Sequence, residues 1–447
     1  MSKVTQEIAQ YVSGQRADQL DPAVRHETAR ALLNFFACAI GASRHATVEA
    51  ALSAVQPFAG PPQSPIFGRR ERLDALNAAL INGTSSHVFD FDDTILSCAF
   101  HPTGPIAAAQ LALLGHRPTS GSEFVLAFVL GVDVATRVAD AIFTPHFAAG
   151  WHVTGTAGIL GATVACGRML DLSPDKLVHA LGIASSQASG IRAAFGSMCK
   201  PFHVGHAAQC GLMAALLAER GFTGSLQALE GPRGFAEVLG HGASLDDVPR
   251  SLGDGFALMR NSYKPYACGL VLHPVIDGCI ALREAGAASA SHVARIDLKV
   301  NPVVLELTAK KEPRTGLEAK FSVYHAASVA LVRGDGNEDE FSDDAVRDAT
   351  VMALGGRVVA EASENLAMDE AHVRVTLNDG TVRERHVTHA TGSIENPMTD
   401  QQLVQKFERL ANPALSGAAM DRLIGLCWTL DRLPQAGSLC DAAVGDN

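Results

Sequence analysis

From its start to about residue 265 the chain reads as helix after helix, and near residue 290 the period of its apolar residues changes. Arg25 to Ile40 carries Ala31, Leu32, Phe35 and Ile40 at helical spacing and meets Gly41, a helix stop. Ser122 to Ala141 reads as a helix with Ser122 as its N-cap, and Gly155 to Leu170 as a Gly- and Ala-rich helix suited to close packing. Asp175 to Ser186 and Ala207 to Glu219 continue the pattern. Alternation first appears at Ala294 to Val300, which ends at Asn301-Pro302. His372 to Leu377 and Thr381 to Val387 also alternate, and Asn378-Asp379-Gly380 between them is a hairpin signal. Helical stretches from Ser322 to Arg333 and Ser342 to Leu354 intervene, and a helix resumes at Asp400 to Leu410 after Asn396-Pro397. The pattern predicts a mainly α fold with a second, α+β domain. Residues 1–268 and 396–447 form the large all-helical domain, and residues 269–395 form the smaller inserted α+β lid.

Composition narrows the function. The chain has 36 Lys+Arg against 47 Asp+Glu, a net charge of −11. That balance excludes a nucleic-acid binder, which needs a basic face. It leaves an acidic substrate open, because a few buried cations make a positive pocket inside a negative protein. Only 19% of residues are charged, where about 25% is usual. A very large core or a face covered by a second subunit explains the deficit, and a homodimer is the expectation. No apolar run approaches the roughly 18 residues of a membrane span, and Met1-Ser2-Lys3-Val4-Thr5-Gln6 has no apolar signal core, which predicts a cytoplasmic protein. The nine Cys are scattered without a CxxC pair, so they read as small buried hydrophobes and not as disulfides or metal ligands.

Five segments hold residues suited to chemistry. Asp90-Phe91-Asp92-Asp93-Thr94 crowds three carboxylates, whose like charges raise one another's pKa. It reads as a solvated turn or as a carboxylate beside histidines. It also matches D-x-D-x-T, the nucleophile motif of metal-dependent phosphatases, with Gly334-Asp335 and Asp339 as their late metal motif. That chemistry needs a parallel strand before Asp90, and Asn82-Gly83-Thr84-Ser85-Ser86 interrupts one. His101-Pro102 and the segment Gly150-Trp151-His152-Val153-Thr154-Gly155 each put a His at a helix start, an end that favours anions. Lys200 falls in an apolar stretch ahead of His203 and His206; a Lys there either snorkels to water or faces a buried anion. No metal-ligand spacing accompanies these histidines, so no metal is expected. Lys264, with His273-Pro274, lies where the helical region meets the α+β part, and Glu318 to Tyr324 closes the set.

In order and spacing these segments resemble the MmgE/PrpD superfamily. Asp92-Asp93-Thr94, His101-Pro102 with Gly104, and Gly150-Trp151-His152-Val153-Thr154-Gly155 carry the likeness. Lys200-Pro201-Phe202-His203-Val204-Gly205-His206-Ala207-Ala208, Gly221-Phe222-Thr223-Gly224, Glu230-Gly231-Pro232-Arg233-Gly234 and Glu318 to Val323 extend it along nearly the whole chain. Thr103, inserted between Pro102 and Gly104, is a departure that shifts the His101 turn. The resemblance implies a cofactor-free homodimer with its site between a helical domain and an α+β lid. It also implies action on a small di- or tricarboxylate, as in a 2-methylcitrate dehydratase, cis-aconitate decarboxylase or iminodisuccinate epimerase. The compact length is most similar to the epimerase. The resemblance carries catalytic roles to Asp93, His101, His152, Lys200 and Lys264, and substrate contacts to His203, His273 and Tyr324. Each of these reactions passes through a carbanion or enolate beside a carboxylate, which needs a tuned acid or base and cations where charge develops. Asp93 is expected to orient a histidine. A non-catalytic binding protein is the alternative from another class.

Overall fold

The computed structural model describes residues 3–287 and 290–446; Met1 and Ser2, the first residues of the segment read as lacking an apolar signal core, lie outside them. Helix α1, Pro22–Gly41, begins where Asp21 accepts the Ala23 N–H at 2.8 Å and Pro22 takes a position that needs no donor. Helix α2 spans Ala75–His87, α3 Thr103–Leu113, α4 Gly121–Ala148, α5 Val153–Met169 and α6 Cys199–Glu219. Three boundaries differ from the sequence reading. The cap of α4 is Ser120, whose hydroxyl accepts the Glu123 N–H, so Ser122 already lies inside the helix. Helix α6 starts at Cys199 and takes Lys200, His203 and His206 into its first turns. Thr84, Ser85 and Ser86 are helical instead of opening a loop: the Thr84 and Ser86 hydroxyls bond back to the Leu80 and Gly83 carbonyls, and the Ser85 hydroxyl donates across to the Ala39 carbonyl of α1.

Small residues bring these helices to backbone contact. A Cβ on Gly83 of α2 would lie 2.8 Å from the Gly205 Cα of α6. That crossing sets the start of α6 beside the Asp90 turn, which follows α2.

Beyond α7, His273–Leu282, the chain forms β1 Val293–Val300, α8 Val323–Arg333, β2 Val358–Ala362, β3 Ala371–Leu377 and β4 Val382–Val387. The four-stranded sheet has the order β2-β1-β3-β4. Strand β1 runs parallel to β2, with Ile296 opposite Val358, and antiparallel to β3. The hairpin turns as expected, with Gly380 at φ 85°. Helix α7 packs on β3 and β4, and α8 on β2. Strand β2 was not legible: only Val358 of its five residues is buried, so it lacks alternation. The predicted helix from Ser342 to Leu354 is two, Asp343–Arg347 and Ala349–Gly355, because Asp348 leaves the helical region and caps the second.

Helix α9, Asp400–Ala411, opens with a Thr399/Gln402 capping box and returns to pack on α1. All nine cysteines are free; eight are buried, and Cys199 is exposed at the start of α6. Among the described residues no helix is long and apolar enough to cross a membrane. The fold is mainly α with a smaller α+β part.

Candidate active site

Several helix starts meet at one cavity. His101 precedes α3, His152 caps α5, and Lys200 is in the first turn of α6. The cavity is lined by Asp90, Thr94, His101, His152, Lys200 and Lys264, with apolar walls that include Phe195, Val271, Leu307 and Phe321. Its lining comes from both the helical body and the α+β region.

Asp90 is the centre of the polar wall. Lys200 Nζ lies 2.6 Å from one carboxylate oxygen and Lys264 Nζ 2.5 Å from the other. Asp90 and Lys264 are at most 3% exposed, and Lys200 is 6% exposed. Burial alone would raise the Asp90 carboxyl; Lys200 and then Lys264 overcome it and hold the group well below the usual carboxylate range. Burial lowers Lys200, while Lys264 ends above its ordinary value because Asp90 and Asp92 outweigh its burial. Asp90 sits at φ 51°, a left-handed conformation that costs a non-glycine residue energy.

The turn is held by three further contacts. Lys320 donates to the Phe89 carbonyl at 2.7 Å, Lys264 to the Asp90 carbonyl at 2.9 Å, and Lys406 to the Phe91 carbonyl at 2.6 Å. Three lysines from distant parts of the chain thus fix three consecutive carbonyls. Burial brings Lys320 and Lys406 each down to about 8.

The His101 Nδ1 lies 3.0 Å from the Asp93 carbonyl, 3.1 Å from the Thr94 hydroxyl and 3.4 Å from Asp92 Oδ2. A carbonyl only accepts, so Nδ1 carries the proton and Nε2 keeps its lone pair. Burial keeps His101 well below the usual histidine range despite Asp92. His152 is neutral for the same reason, with Lys200 adding to burial, and its Nδ1 lies 3.0 Å from Nδ1 of His203.

Four sequence expectations change. Asp93 does not orient a histidine with its carboxylate: that side chain faces Thr103 at 2.5 Å and Asn261 at 2.6 Å, away from the cavity. Asp92 is the carboxylate among the histidines, 2.7 Å from His87 Nδ1. His203 stands behind His152 and not on the cavity. His273 is buried against the Tyr266 ring and lines no part of the cavity. Tyr324 faces a different hollow, beside Lys311, Ser328 and Met352. The sequence reading gave no separate role to Asp90 within its cluster or to Lys320 within Glu318 to Tyr324, and it passed over His87 and Lys406. Lys406 shows no local signal beyond a charge next to apolar neighbours.

Four ligand atoms from His87, Asp90, Asp92 and His101 lie within 4.8 Å of one another. A metal ion there would displace two ammonium groups from Asp90 and the imidazole from Asp92, so the charges present do not suit one. The phosphatase alternative fails on the fold: the Asp90 motif follows helix α2, not a parallel strand.

Fold and site together define a two-part, mainly helical protein with a buried lysine–carboxylate–histidine centre at the join. The sequence profile of the MmgE/PrpD N-terminal domain matches residues 6–247, and that of the MmgE/PrpD C-terminal domain matches residues 266–430. The chain belongs to the MmgE/PrpD family. It is similar to a cis-aconitate decarboxylase of Aspergillus terreus, 25% identical over 98% of this chain and 96% of the relative. It is likewise similar to cis-aconitate decarboxylases of Mus musculus, at 27% over 99% and 96%, and Homo sapiens, at 26% over 98% and 94%.

Proposed function

We propose that this chain is a cofactor-independent lyase that removes CO2 from a small tricarboxylate of the cis-aconitate type. One observation carries the reading. Two buried ammonium groups share the single Asp90 carboxylate, so this pair of lysines keeps one positive charge in excess at the cavity wall. In an apolar, water-poor site that charge is worth far more than in water.

Lys200 and Lys264 hold a substrate carboxylate and stabilise the enolate as the carbon–carboxylate bond breaks. The electron pair left on carbon then takes a proton from a histidine. Catalytic roles fall to His101, His152, Lys200 and Lys264, with Asp90 positioning the lysines and Asp92 positioning His101. The similarity to relatives named cis-aconitate decarboxylase favours this reaction over epimerisation.

Epimerisation of iminodisuccinate is the second reading, favoured by His101: its Nε2 lone pair is a neutral base. The exposed apolar side chains Ile191, Met198 and Phe202 support a homodimer, and the free cysteines a cytoplasmic enzyme.

Assays of cis-aconitate, iminodisuccinate and 2-methylcitrate side by side in D2O test the proposal. Stoichiometric CO2 release with one deuterium in the product is expected from cis-aconitate. Deuterium entering recovered iminodisuccinate without CO2 replaces the lyase reading by the epimerase. Light scattering checks the dimer.

A further inference from the structure

His203 was expected to touch substrate, but it stands behind His152 and does not line the cavity; its place suggests another task. Lys200 and His203 lie one turn apart on α6, so the cavity-facing lysine and the imidazole behind the cavity share a face. His203 fits a slot between two glycines. A Cβ on Gly155 would come 3.3 Å from the His203 Cβ, and one on Gly190 (φ 116°) would come 3.1 Å from its Cγ. The His152 backbone N–H donates to the Gly190 carbonyl at 3.0 Å, so the same segment fixes both rings. The two Nδ1 atoms meet at 3.0 Å, and one of them must be protonated to bond the other. His152 is 3% exposed, whereas His203 is only partly buried. The pair therefore runs from the cavity toward water.

A neutral histidine is a poor acid. Burial and Lys200 keep His152 neutral, so loss of its Nε2 proton alone would leave an imidazolate. That obstacle disappears if Nδ1 gains a proton at the same moment.

We propose that His203 turns His152 into a working proton donor by passing its own Nδ1 proton to the His152 Nδ1 as His152 gives up the proton on Nε2. The inference rests on the lyase reading and assigns His203 as a positioning and relay residue. The steps balance. The carbon–carboxylate bond breaks to CO2 and its electron pair stays on carbon. That carbon takes the Nε2 proton of His152, His152 takes the Nδ1 proton of His203, and His203 takes one proton at Nε2 from bulk water or a buffer acid. When product leaves, water protonates His152 at Nε2, the shared proton returns to His203, and His203 releases its Nε2 proton to solvent. His87, His206 and Lys200 are the other titratable groups whose charges act on His203.

Two variants and one spectrum test this. His203→Asn keeps an amide donor toward His152 but relays nothing; kcat should fall about a hundredfold with KM little changed. His203→Ala opens the slot, and added imidazole should restore at least tenfold of its rate while leaving the wild type unaffected. A His203→Asn kcat within twofold of wild type, or no imidazole effect on His203→Ala, overturns the relay. Nitrogen NMR of histidine-labelled wild type at neutral pH reads the pair without any substrate. Neutral His152, protonated at Nε2 and accepting at Nδ1, supports the proposal, and a cationic His152 or an Nδ1 without a hydrogen bond overturns it. A wild type that releases no CO2 from any candidate defeats the lyase reading, and the spectrum still decides whether the two rings are coupled.

Discussion

Lys264 holds Asp90 twice, with Nζ 2.5 Å from the carboxylate and 2.9 Å from the carbonyl oxygen of the same residue. Side chain and backbone are thereby fixed in one left-handed conformation, and Lys200 closes the other side of the carboxylate at 2.6 Å. Replacing Asp90 by Asn leaves two buried ammonium groups facing a neutral amide. Removing one partner of such a buried ion cluster typically costs about 3–5 kcal/mol. Chemical denaturation of Asp90→Asn at pH 7 should show a loss of that order, and adding Lys200→Met should recover part of it. A variant as stable as the wild type would mean that water reaches the cluster.

Asp92 and Asp93 are neighbours with opposite fates. Burial first, with the charge of Asp92 adding and Thr103 opposing, pushes the Asp93 carboxyl up to about 7. Asp92 is held low by His87 and His101 against its burial. Between pH 4 and 7 folded Asp93 keeps a proton that the unfolded chain has lost, so stability falls as pH rises through that window. Asp93→Asn removes this dependence. Relative to the wild type the variant should gain roughly 4 kcal/mol between pH 4 and pH 8, as a shift of about three pKa units implies. Activity separates the two further: Asp92→Asn should lower kcat, and Asp93→Asn should leave it close to wild type.

The Asp90 turn shows where sequence reading stops. The crowding of Asp90, Asp92 and Asp93 is visible in the chain, but which carboxylate meets which cation depends on Lys200, Lys264, Lys320 and Lys406, more than a hundred residues away. The helical body was legible because Ala-rich, 3.6-period segments such as α1 and α5 carry their own signal. The parallel strand β2 was not, because its pairing with Ile296 to Val300 is nonlocal and its residues hardly alternate. His101, His152, Lys200 and Lys264 were found because short, unusual segments carry them. Tyr324 was misplaced because the chain changes direction just before it: Lys320 and Phe321 lie in a turn that approaches the Asp90 turn and the cavity, Ser322 is extended and caps α8, and Tyr324 in the first turn of α8 opens on the far hollow.

Tyr324 gives a direct check of that geometry. Its ring lies near Lys311, with Nζ 5.7 Å from the ring centroid, in a hollow that shares no residue with the Asp90 cavity. Tyr324→Phe should keep kcat and KM within about twofold of wild type, a change near 0.4 kcal/mol by the transition-state relation. A loss of tenfold or more would bring the hydroxyl back to the substrate.

Lys320 gives the last test, and its sign runs against intuition. Its ammonium is buried with two carbonyl partners, Phe89 at 2.7 Å and Ala267 at 2.6 Å, and burial outweighs the pull of Asp90 to bring it down to about 8. Below pH 8 both folded and unfolded chains hold the proton, and the folded state bears the full cost of a buried charge. Between pH 8 and 10.5 only the unfolded chain binds it, so stability contributed through Lys320 rises with pH. Lys320→Met abolishes that rise while losing both carbonyl bonds, an offset that does not depend on pH. The stability of the wild type minus that of the variant should therefore grow by roughly 3 kcal/mol from pH 7 to pH 10.5. Denaturant midpoints of both proteins across that range measure it, and the subtraction cancels the titration of every cysteine and tyrosine the two share. A difference that stays flat would show that the folded protein leaves Lys320 at its ordinary value, with the Phe89 carbonyl hydrated and not held by a desolvated ammonium.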